Sequence, residues 1–269
     1  MRDLQYKDLK FHPSEMPHEY GKNIHILSDP YLMLGLTHLC SEATEQPLLH
    51  YWIGKLYRAI LQSAVNQCFD RTTLKSDTRM KAYHPEGVIE AEVTDPESRV
   101  VVVNLARAGI VPSFYCYDEL NYFLKPKGVR QDHILMSRTV DSQEKVTGSS
   151  VGGIKIGGSI DGSYVLIPDP MGATGSTIST AINAYKNYGS PKKWIAMHLI
   201  ITPEYIAHIQ KTHPYIEVFA LRLDRGLSSE KVLKSPLGRY KNEERGLNDK
   251  HYIVPGAGGL GEILNNAFV

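Results

Sequence analysis

The sequence has few cysteines, almost no net charge and no long apolar run. Its three cysteines, Cys40, Cys68 and Cys116, are an odd number without CxxC spacing, which disfavours a zinc site or a disulfide framework. The formal net charge of +1 gives no overall electrostatic case for a nucleic-acid or membrane partner. No segment approaches the length of a membrane span, and the first residues lack the apolar stretch of a signal peptide. We therefore expect a cytoplasmic protein without a nucleic-acid or membrane partner.

Several motifs that mark other enzyme classes are also missing. The histidines show no HExxH pattern and no paired metal-ligand spacing, so the sequence does not indicate a histidine-held metal. The nearest approach to a GxSxG nucleophile turn begins at Gly175 and does not match it. Charged clusters at 224–225 and 243–245 are typical of solvated surfaces. Function must therefore be sought in another pattern.

Short apolar runs alternate with amphipathic segments through the middle of the chain. Runs rich in β-branched residues predict buried strands, and the segments between them predict helices of roughly ten or more residues. This alternation predicts right-handed βαβ units and a parallel sheet, which is an α/β fold. The predicted strands are 99–105, 131–137, 165–168, 194–201 and 216–222, and the predicted helices are 32–40, 48–68, 110–120, 178–188 and 202–212.

The length of 269 residues suffices for one elaborate domain, which we expect over residues 1–269. The first two helices precede any strong strand, so they predict a cap or hood over the sheet. The remaining segments predict an irregular arm at 1–24, a hairpin at 79–92, a mobile hairpin loop at 139–162, a surface insertion at 225–245 and a short strand from 252 that enters a glycine-rich turn.

The stretch from Val165 to Thr177 passes from an apolar strand into a loop of small residues at the start of a helix. Such a loop commonly holds phosphate, because its backbone N–H groups and the helix dipole favour an anion. Gly172 and Gly175 let the backbone approach a ligand closely. Hydroxyl groups add further donors at Thr174, Ser176 and Thr177. The stretch therefore predicts a phosphate site.

This loop differs from two common phosphate-binding motifs. A GxxxxGK[ST] loop needs a lysine, which does not follow Gly175, and the dinucleotide fingerprint GxGxxG is absent. Asp169 precedes the loop, although a carboxylate would repel phosphate. It needs another task, which is either to bind sugar hydroxyls or to hold Mg²⁺ through water.

Three charged residues follow predicted strands. Arg107, Arg138 and Asp169 each lie at the carboxyl end of a different predicted strand. Ligands of open parallel sheets bind beyond these strand ends, so the three side chains are expected to converge on one edge. Their convergence predicts a binding site for a small polyanion.

The loop beginning at Asp169-Pro170 resembles the phosphoribosyl-pyrophosphate (PRPP) loop of uracil phosphoribosyltransferases, which have Asp-Pro where most type I phosphoribosyltransferases carry two acids. The segment 246–256, Gly-Leu-Asn-Asp-Lys-His-Tyr-Ile-Val-Pro-Gly, is similar to the family's uracil-binding segment. Arg107 in Leu-Ala-Arg-Ala-Gly resembles an arginine that contacts PRPP, and Arg138 falls where the family has a second one. The resemblance covers roughly residues 24–262 and implies a type I phosphoribosyltransferase core, with helices on both sheet faces and a small hood from N- and C-terminal segments.

The resemblance implies transfer of ribose 5-phosphate from PRPP to uracil, giving UMP and pyrophosphate in pyrimidine salvage. Asp169, Arg107 and Arg138 would be catalytic, and Mg²⁺ would be held mainly through PRPP rather than by the protein. The family further implies a homodimer or homotetramer and a GTP effector. The implied PRPP-binding residues are Arg107, Arg138, Asp169, Pro170, Met171, Gly172, Ala173, Thr174, Gly175, Ser176, Thr177 and Gly259, and the implied uracil-binding residues are Tyr252, Ile253, Gly258, Gly259 and Leu260.

The chain departs from the family pattern at its second glycine-rich turn. Gly259 stands where the family has an aspartate that contacts PRPP, and Leu260 replaces a small alanine beside the base. The segment 139–144 lacks the family's usual paired glutamates. Three alternatives thus stay open: a regulatory or degenerate member that binds PRPP or nucleotide without turnover, a transferase for another nucleobase, and an α/β protein that binds a different phosphorylated ligand.

Overall fold

The computed structural model describes residues 3–140 and 146–267 of the chain. The strands are β1 (Ile24–Ile26), β2 (Arg71–Asp77), β3 (Val88–Thr94), β4 (Val100–Ala106), β5 (Val129–Val140), β6 (Val146–Lys155), β7 (Tyr164–Pro168), β8 (Met171–Gly172), β9 (Lys193–Ile201) and β10 (Glu217–Leu223). The helices are α1 (Pro30–Cys40), α2 (Leu48–Cys68), α3 (Ile110–Phe123), α4 (Ser176–Ala184), α5 (Pro203–Thr212), α6 (Glu230–Leu233) and α7 (Leu260–Ile263). Within these ranges no helix is both long and apolar enough to cross a membrane.

A mostly parallel sheet forms the centre of the molecule. Its strand order is β1-β10-β9-β7-β4-β5-β6, and the short β8 pairs with β9. The neighbouring strands pair in parallel except at the edge, where β6 runs antiparallel to β5. β2 and β3 form a separate antiparallel hairpin. The predicted α/β class is confirmed.

Two apolar clusters cover the two faces of this sheet. Val100 and Val102 point into a cluster with α1, α2 and α3, whereas Val101 and Val103 point into a cluster with α4 and α5. Alternate residues of one strand thus enter opposite cores, which is why the parallel strands read as continuous apolar runs. Helices lie on both faces, as predicted. The hood formed by terminal segments stays a prediction.

The first two helices begin and end close to their predicted bounds. Asp29 caps α1 by accepting hydrogen bonds from the Tyr31 and Leu32 N–H groups at 2.9 and 3.0 Å, and Pro30 occupies the first helical turn. The apolar stripe of α2 is buried against the sheet and α3. Complete burial of a leucine or isoleucine side chain contributes about 1.5–3 kcal/mol, so this stripe fixes the helix in place.

The region after β4 corrects two expectations. We expected the second strand to end before Arg138, but β5 continues to Val140, so Arg138 lies inside the strand with Ser149 opposite it. The hairpin loop predicted at 139–162 is a hairpin whose second arm is the strand β6. The glycines and serines of β6 have no strand pattern in the sequence. The strand forms because its backbone pairs in an antiparallel ladder with β5. Residues 141–145 of the predicted loop lie outside the described residues.

The arm at 1–24 is less irregular than expected. Isolated β-bridges join Glu15 to Leu27 and His18 to Leu237, and Ile24 begins the edge strand β1, which was not predicted. A strand of this length carries too little pattern to be recognised from sequence. The bridges fix the arm along the β10 edge of the sheet.

The prediction that 224–225 and 243–245 are solvated was wrong for three residues. Asp224, Arg225 and Glu244 are buried, and Arg225 Nη1 lies 2.6 Å from Glu244 Oε1. The Tyr20 hydroxyl donates to Glu244, and burial together with this carboxylate raises the pKa of Tyr20. The ion pair compensates for the loss of hydration. The Tyr20 hydrogen bond joins the segment 225–245 to the arm. The sequence shows these charged residues, but it does not show that they pair with one another in the interior.

Candidate active site

One cleft of about 790 Å³ lies beyond the carboxyl ends of the parallel strands. This position matches the usual ligand site of open α/β sheets. Its walls come from the ends of β4, β5 and β7, from the loop between β7 and α4, and from the C-terminal segment. The lining residues are 105–108, Met136, Asp169, 171–178, Tyr205, 251–253 and 258–262.

The loop between β7 and α4 forms the floor of the cleft around Gly175. Gly175 precedes α4 with φ of 81°, a left-handed conformation that favours glycine. A Cβ atom there would lie 2.8 Å from the His208 ring. Thr174 Oγ1 and Ser176 Oγ lie 2.9 Å apart beside this turn. Because the first amides of a helix have no intrahelical acceptor, α4 offers N–H and O–H donors together to an anion.

Asp169 directly follows β7, and hydrogen bonds of its backbone hold it there. Its N–H donates to the Met197 carbonyl at 3.0 Å, and its carbonyl accepts from His198 Nδ1 at 2.5 Å. The Tyr205 hydroxyl donates to His198 Nε2 at 2.7 Å, which makes His198 a neutral link between the two cleft residues. Burial lowers the pKa of His198 to about 4, against the raising effect of its bond to Asp169. The Asp169 carboxylate is therefore presented by a rigid backbone.

Arg107 lies at the end of β4, on the opposite wall. Its Nη1 donates to the Ala267 carbonyl at 3.0 Å, and its Nη2 lies 3.8 Å from Glu262 Oε1. The turn that presents it is tight: the Gly109 N–H donates to the Leu105 carbonyl at 2.9 Å, and a Cβ on Gly109 would lie 2.8 Å from that oxygen. The side chain is 40% exposed, so the guanidinium remains open to the cleft.

Two carboxylates outside the cleft, the buried Asp224 and the partly buried Glu204, hold the C-terminal segment. Asp224 Oδ2 accepts from the Gly256 N–H at 2.7 Å, and Glu204 Oε1 accepts from the Gly246 N–H at 3.0 Å. The strand predicted to start at 252 is reduced to a single bridge between Leu247 and Ile253, because these side-chain acceptors replace a ladder. Hydrogen bonds to charged acceptors contribute about 1.5–3 kcal/mol each, so the turn that follows is firmly placed.

Most of the predicted site residues line this one cleft. Pro170 does not, because it is buried and its carbonyl accepts from the Leu199 N–H at 3.0 Å. The side chain of Arg138 lies outside the described residues, so its part in the site stays a prediction. The residues brought together are Arg107, Asp169, Met171, Gly172, Ala173, Thr174, Gly175, Ser176, Thr177, Tyr252, Ile253, Gly258, Gly259 and Leu260.

Sequence reasoning missed several residues that shape the cleft. His198 interrupts the apolar run of β9, and a lone histidine in a buried strand was a usable signal. Glu262 follows the second glycine-rich turn and reaches back to Arg107. Tyr205 and His251 also line the walls. Tyr205 lies in no motif, whereas His251 lies within the segment 246–256 that resembles the family's uracil-binding segment.

The cleft suits a magnesium ion that is carried mainly by a ligand. Among residues 3–140 and 146–267, the structure has no group of three or more His, Cys, Asp or Glu side chains able to hold a metal alone. The carboxylates of Asp169 and Glu262 both line the cleft. Mg²⁺ prefers oxygen ligands and usually keeps water and substrate phosphates beside one or two carboxylates, so this donor set fits it.

An open, mostly parallel sheet with this loop at its carboxyl edge belongs to the α/β proteins that bind phosphorylated ligands there. The model of the family "Uracil phosphoribosyltransferase" matches residues 26–243. The chain therefore belongs to the uracil phosphoribosyltransferase family. The match ends before the turn at 252–260, so the C-terminal wall of the cleft rests on the structure and the sequence motif.

Individual relatives are more distant. The uracil phosphoribosyltransferase of Mycoplasma genitalium is 25% identical over 234 residues, which cover 79% of this chain and 98% of that protein. The uracil phosphoribosyltransferase of Thermococcus sibiricus is 36% identical over 98 residues, which cover 36% of this chain and 34% of the relative. The chain thus spans about a third of the length of that archaeal relative. A solved structure of the AQ2163 protein from Aquifex aeolicus superposes with a TM-score of 0.69 at 22% identity, covering 91% of this chain and 99% of the other, and shows the same fold.

Proposed function

We propose that the protein is a phosphoribosyltransferase that joins uracil to the ribose 5-phosphate of PRPP, giving UMP and pyrophosphate. The observation that carries the proposal is the single cleft in which the loop 172–177, Asp169, Arg107 and the turn 258–260 meet. These parts come from distant segments, and each suits a different portion of the two substrates. Family membership supports the same reaction.

The 5′-phosphate of PRPP would bind the loop that precedes α4. Amides from Thr174 to Thr177 and the hydroxyls of Thr174 and Ser176 supply donors, and the helix dipole adds to their attraction. The Ala173 N–H donates to the Met171 carbonyl instead, at 3.0 Å. Asp169 lies beside this loop and would accept hydrogen bonds from the ribose hydroxyls. Its negative charge would also stabilise the cationic ribosyl centre that forms as pyrophosphate leaves.

The pyrophosphate would bind beside Arg107, with Arg138 as a second cationic contact. Bidentate contacts between arginine and phosphate are strong and directional, so they stabilise the negative charge that develops on the leaving group. Mg²⁺, when bound with PRPP, would neutralise part of that charge. The bond from C1′ to pyrophosphate breaks, the bond from C1′ to uracil N1 forms, and the N1 proton of uracil is released.

Uracil would be read by the backbone between Tyr252 and Leu260. An imide edge offers one N–H donor and two carbonyl acceptors, which main-chain groups of a fixed turn can match. Asp224 and Glu204 hold this segment from outside the cleft. Backbone recognition would tolerate the altered side chains at Gly259 and Leu260 better than side-chain recognition would.

A regulatory protein that binds PRPP or nucleotide without turnover is the second candidate. Gly259 favours it, because the family's aspartate is missing there, and Arg107 is already engaged by Glu262 and Ala267. A transferase for a different nucleobase would share the same PRPP half of the cleft. The three proposals therefore differ in turnover and in the base rather than in PRPP binding.

One experiment separates these functions. The protein is incubated with PRPP, Mg²⁺ and radiolabelled uracil, cytosine, hypoxanthine or adenine, and PRPP binding is measured by calorimetry. We expect UMP from uracil alone. Nucleotide from another base would change the assigned substrate, and PRPP binding without any nucleotide would support the regulatory function. Absence of PRPP binding would reject both transferases and would leave only a regulatory protein that binds nucleotide.

Arg107→Ala tests the pyrophosphate end of the cleft. The variant should weaken PRPP binding by about tenfold or more, since it removes a charged hydrogen-bonding group. Arg99→Ala is the matched control, because Arg99 is an exposed arginine at the opposite end of the same strand. Equal PRPP affinities of the two variants would remove Arg107 from the site.

The resemblance also predicts a homodimer or homotetramer and a GTP effector, and the composition predicts a cytoplasmic location. Light scattering with and without GTP tests the first two. A monomeric mass would contradict the predicted oligomer. A mass and a turnover rate, measured separately, that GTP leaves unchanged would contradict the GTP effector. Fractionation of cells that produce the tagged protein tests its location.

A further inference from the structure

The backbone at Gly259 does not require a glycine. Its φ of −82° and ψ of 77° correspond to an inverse γ-turn, a conformation common among residues with side chains. In contrast, Gly256 and Gly258 have φ of 59° and 68°, where glycine is favoured. The backbone conformation therefore does not explain the missing side chain at position 259.

The Glu262 side chain lies against Gly259. A Cβ atom at position 259 would lie 2.2 Å from Glu262 Oε2, which is closer than any real contact. The Glu262 N–H donates to the Gly259 carbonyl at 3.0 Å, so one turn of α7 folds the glutamate back over the glycine. The carboxylate of Glu262 thus occupies the space that a side chain at 259 would fill.

The other oxygen of the same carboxylate faces Arg107. Glu262 Oε1 lies 3.8 Å from Arg107 Nη2, and both side chains line the cleft. The carboxylate is 29% exposed, so a ligand in the cleft can reach it. It therefore lies at the pyrophosphate end, if the proposed function is correct.

A carboxylate at this place has opposite effects on two forms of the same ligand. It repels free pyrophosphate and competes with it for the Arg107 donors. It attracts pyrophosphate that carries a hydrated divalent cation, because carboxylate oxygens bind Mg²⁺ or its water ligands well. The carboxylate therefore makes affinity depend on the cation.

We propose that Glu262 couples pyrophosphate binding to the divalent cation, and that glycine at 259 is its structural counterpart. The carboxylate faces the hydrated cation from position 262, and Gly259 leaves room for it. This inference rests on the proposed function, since it assumes that pyrophosphate or PRPP binds beside Arg107. It assigns Glu262 as a positioning residue for the cation and its ligand.

The test is calorimetric titration of pyrophosphate into the protein, once with Mg²⁺ and once with EDTA. In Glu262→Gln, affinity with Mg²⁺ should fall by about tenfold, the effect of one charge-assisted contact, and affinity in EDTA should rise. The measured quantity is the ratio of the pyrophosphate affinity with Mg²⁺ to the pyrophosphate affinity in EDTA. Glu97→Gln is the control, because Glu97 is 62% exposed at the other end of the sheet and should leave the ratio unchanged.

Moving the carboxylate gives a second arm that does not depend on one variant folding well. Gly259→Ala should lower the ratio by displacing Glu262, whereas the same change in a Glu262→Ala background should have little further effect. Gly259→Asp combined with Glu262→Ala should restore the ratio by returning a carboxylate to the same space. Failure of this double variant to exceed Glu262→Ala would count against the inference.

The outcomes distinguish this inference from the function on which it rests. A wild-type protein that binds neither pyrophosphate nor PRPP under either condition overturns the proposed function. A wild-type protein with Mg²⁺-dependent binding, whose ratio is unchanged in Glu262→Gln, overturns only the role of Glu262. The predicted result is a ratio that falls in Glu262→Gln and returns when aspartate is placed at 259.

Discussion

The Nδ1 atom of His198 lies 2.5 Å from the carbonyl oxygen of Asp169. The imidazole is completely buried, which lowers its pKa and favours the neutral ring, with the proton on Nδ1 and with Nε2 accepting from the Tyr205 hydroxyl. A protonated ring would have to donate from Nε2 as well, where Tyr205 already donates. The ring thus joins the backbone of Asp169 to Tyr205, which also lines the cleft, and acid should weaken this link.

His198 predicts a pH dependence of stability. Its folded pKa of about 4 lies below the ordinary value of 6.5, so the unfolded chain binds more protons between these values, and stability falls as pH falls through that window. Between pH 7 and pH 5 the wild type should lose about 2 kcal/mol more than His198→Asn does. Urea unfolding at both pH values measures this difference. The exposed His84→Asn serves as the control, and equal losses in wild type and His198→Asn would contradict a buried neutral ring.

Gly175→Ala should damage the phosphate loop. At φ of 81° an alanine costs about 1–2 kcal/mol in the backbone, and its Cβ also collides with the His208 ring. We expect ribose 5-phosphate, titrated by calorimetry, to bind at least about tenfold more weakly. Gly162→Ala also has a left-handed φ, of 62°, but lies outside the cleft, so it separates backbone strain from loss of the site. Equal phosphate affinity in both variants would exclude the loop.

Asp224→Asn should affect the base without affecting PRPP. Asp224 is buried and accepts from the Gly256 N–H ahead of the proposed uracil-reading turn. Losing a charged acceptor is expected to cost about 1.5–3 kcal/mol, so the KM for uracil should rise by about tenfold or more. Steady-state kinetics with each substrate varied in turn measures this. The exposed Asp249→Asn in the same segment should behave as wild type. A KM increase for PRPP alone would contradict the assignment of this turn to the base.

Glu244→Ala tests whether the segment 225–245 is part of the folded core. The change leaves the Arg225 guanidinium buried without its carboxylate, which is expected to cost about 3–5 kcal/mol in unfolding free energy. Its exposed neighbour Glu243→Ala should change stability by less than about 0.5 kcal/mol. Urea unfolding compares the two. Similar stabilities would mean that the segment is only a surface addition.

The central strands and long helices could be predicted because each carries its own signal. Strands such as β4 are buried on both faces and therefore read as unbroken apolar runs. α1 begins with a capping Asp29 followed by Pro30, and the stripe of α2 has a helical period. β1 and β8 are too short for a pattern, and the glycines and serines of β6 hide its pairing with β5.

In the candidate site too, some residues could be predicted from local motifs and others could not. Asp169, Gly175 and Arg107 lie in local motifs, and the structure places all three in one cleft. The residues that hold them do not lie in motifs, because hydrogen-bond partners such as Asp169 and His198, or Asp224 and Gly256, are far apart in sequence. The contact between Gly259 and the Glu262 carboxylate could not be predicted from the sequence either, since it depends on how the Glu262 side chain is placed.

The central claim is that this cleft transfers ribose 5-phosphate from PRPP to uracil. Phosphorus NMR of a mixture of protein, PRPP, Mg²⁺ and uracil tests it most directly, because it follows substrate and both phosphorylated products together. We predict that the PRPP signals are replaced by those of UMP and pyrophosphate in equal amounts, and that omitting uracil prevents this. PRPP signals that persist with every base offered, although calorimetry shows PRPP bound, would contradict it.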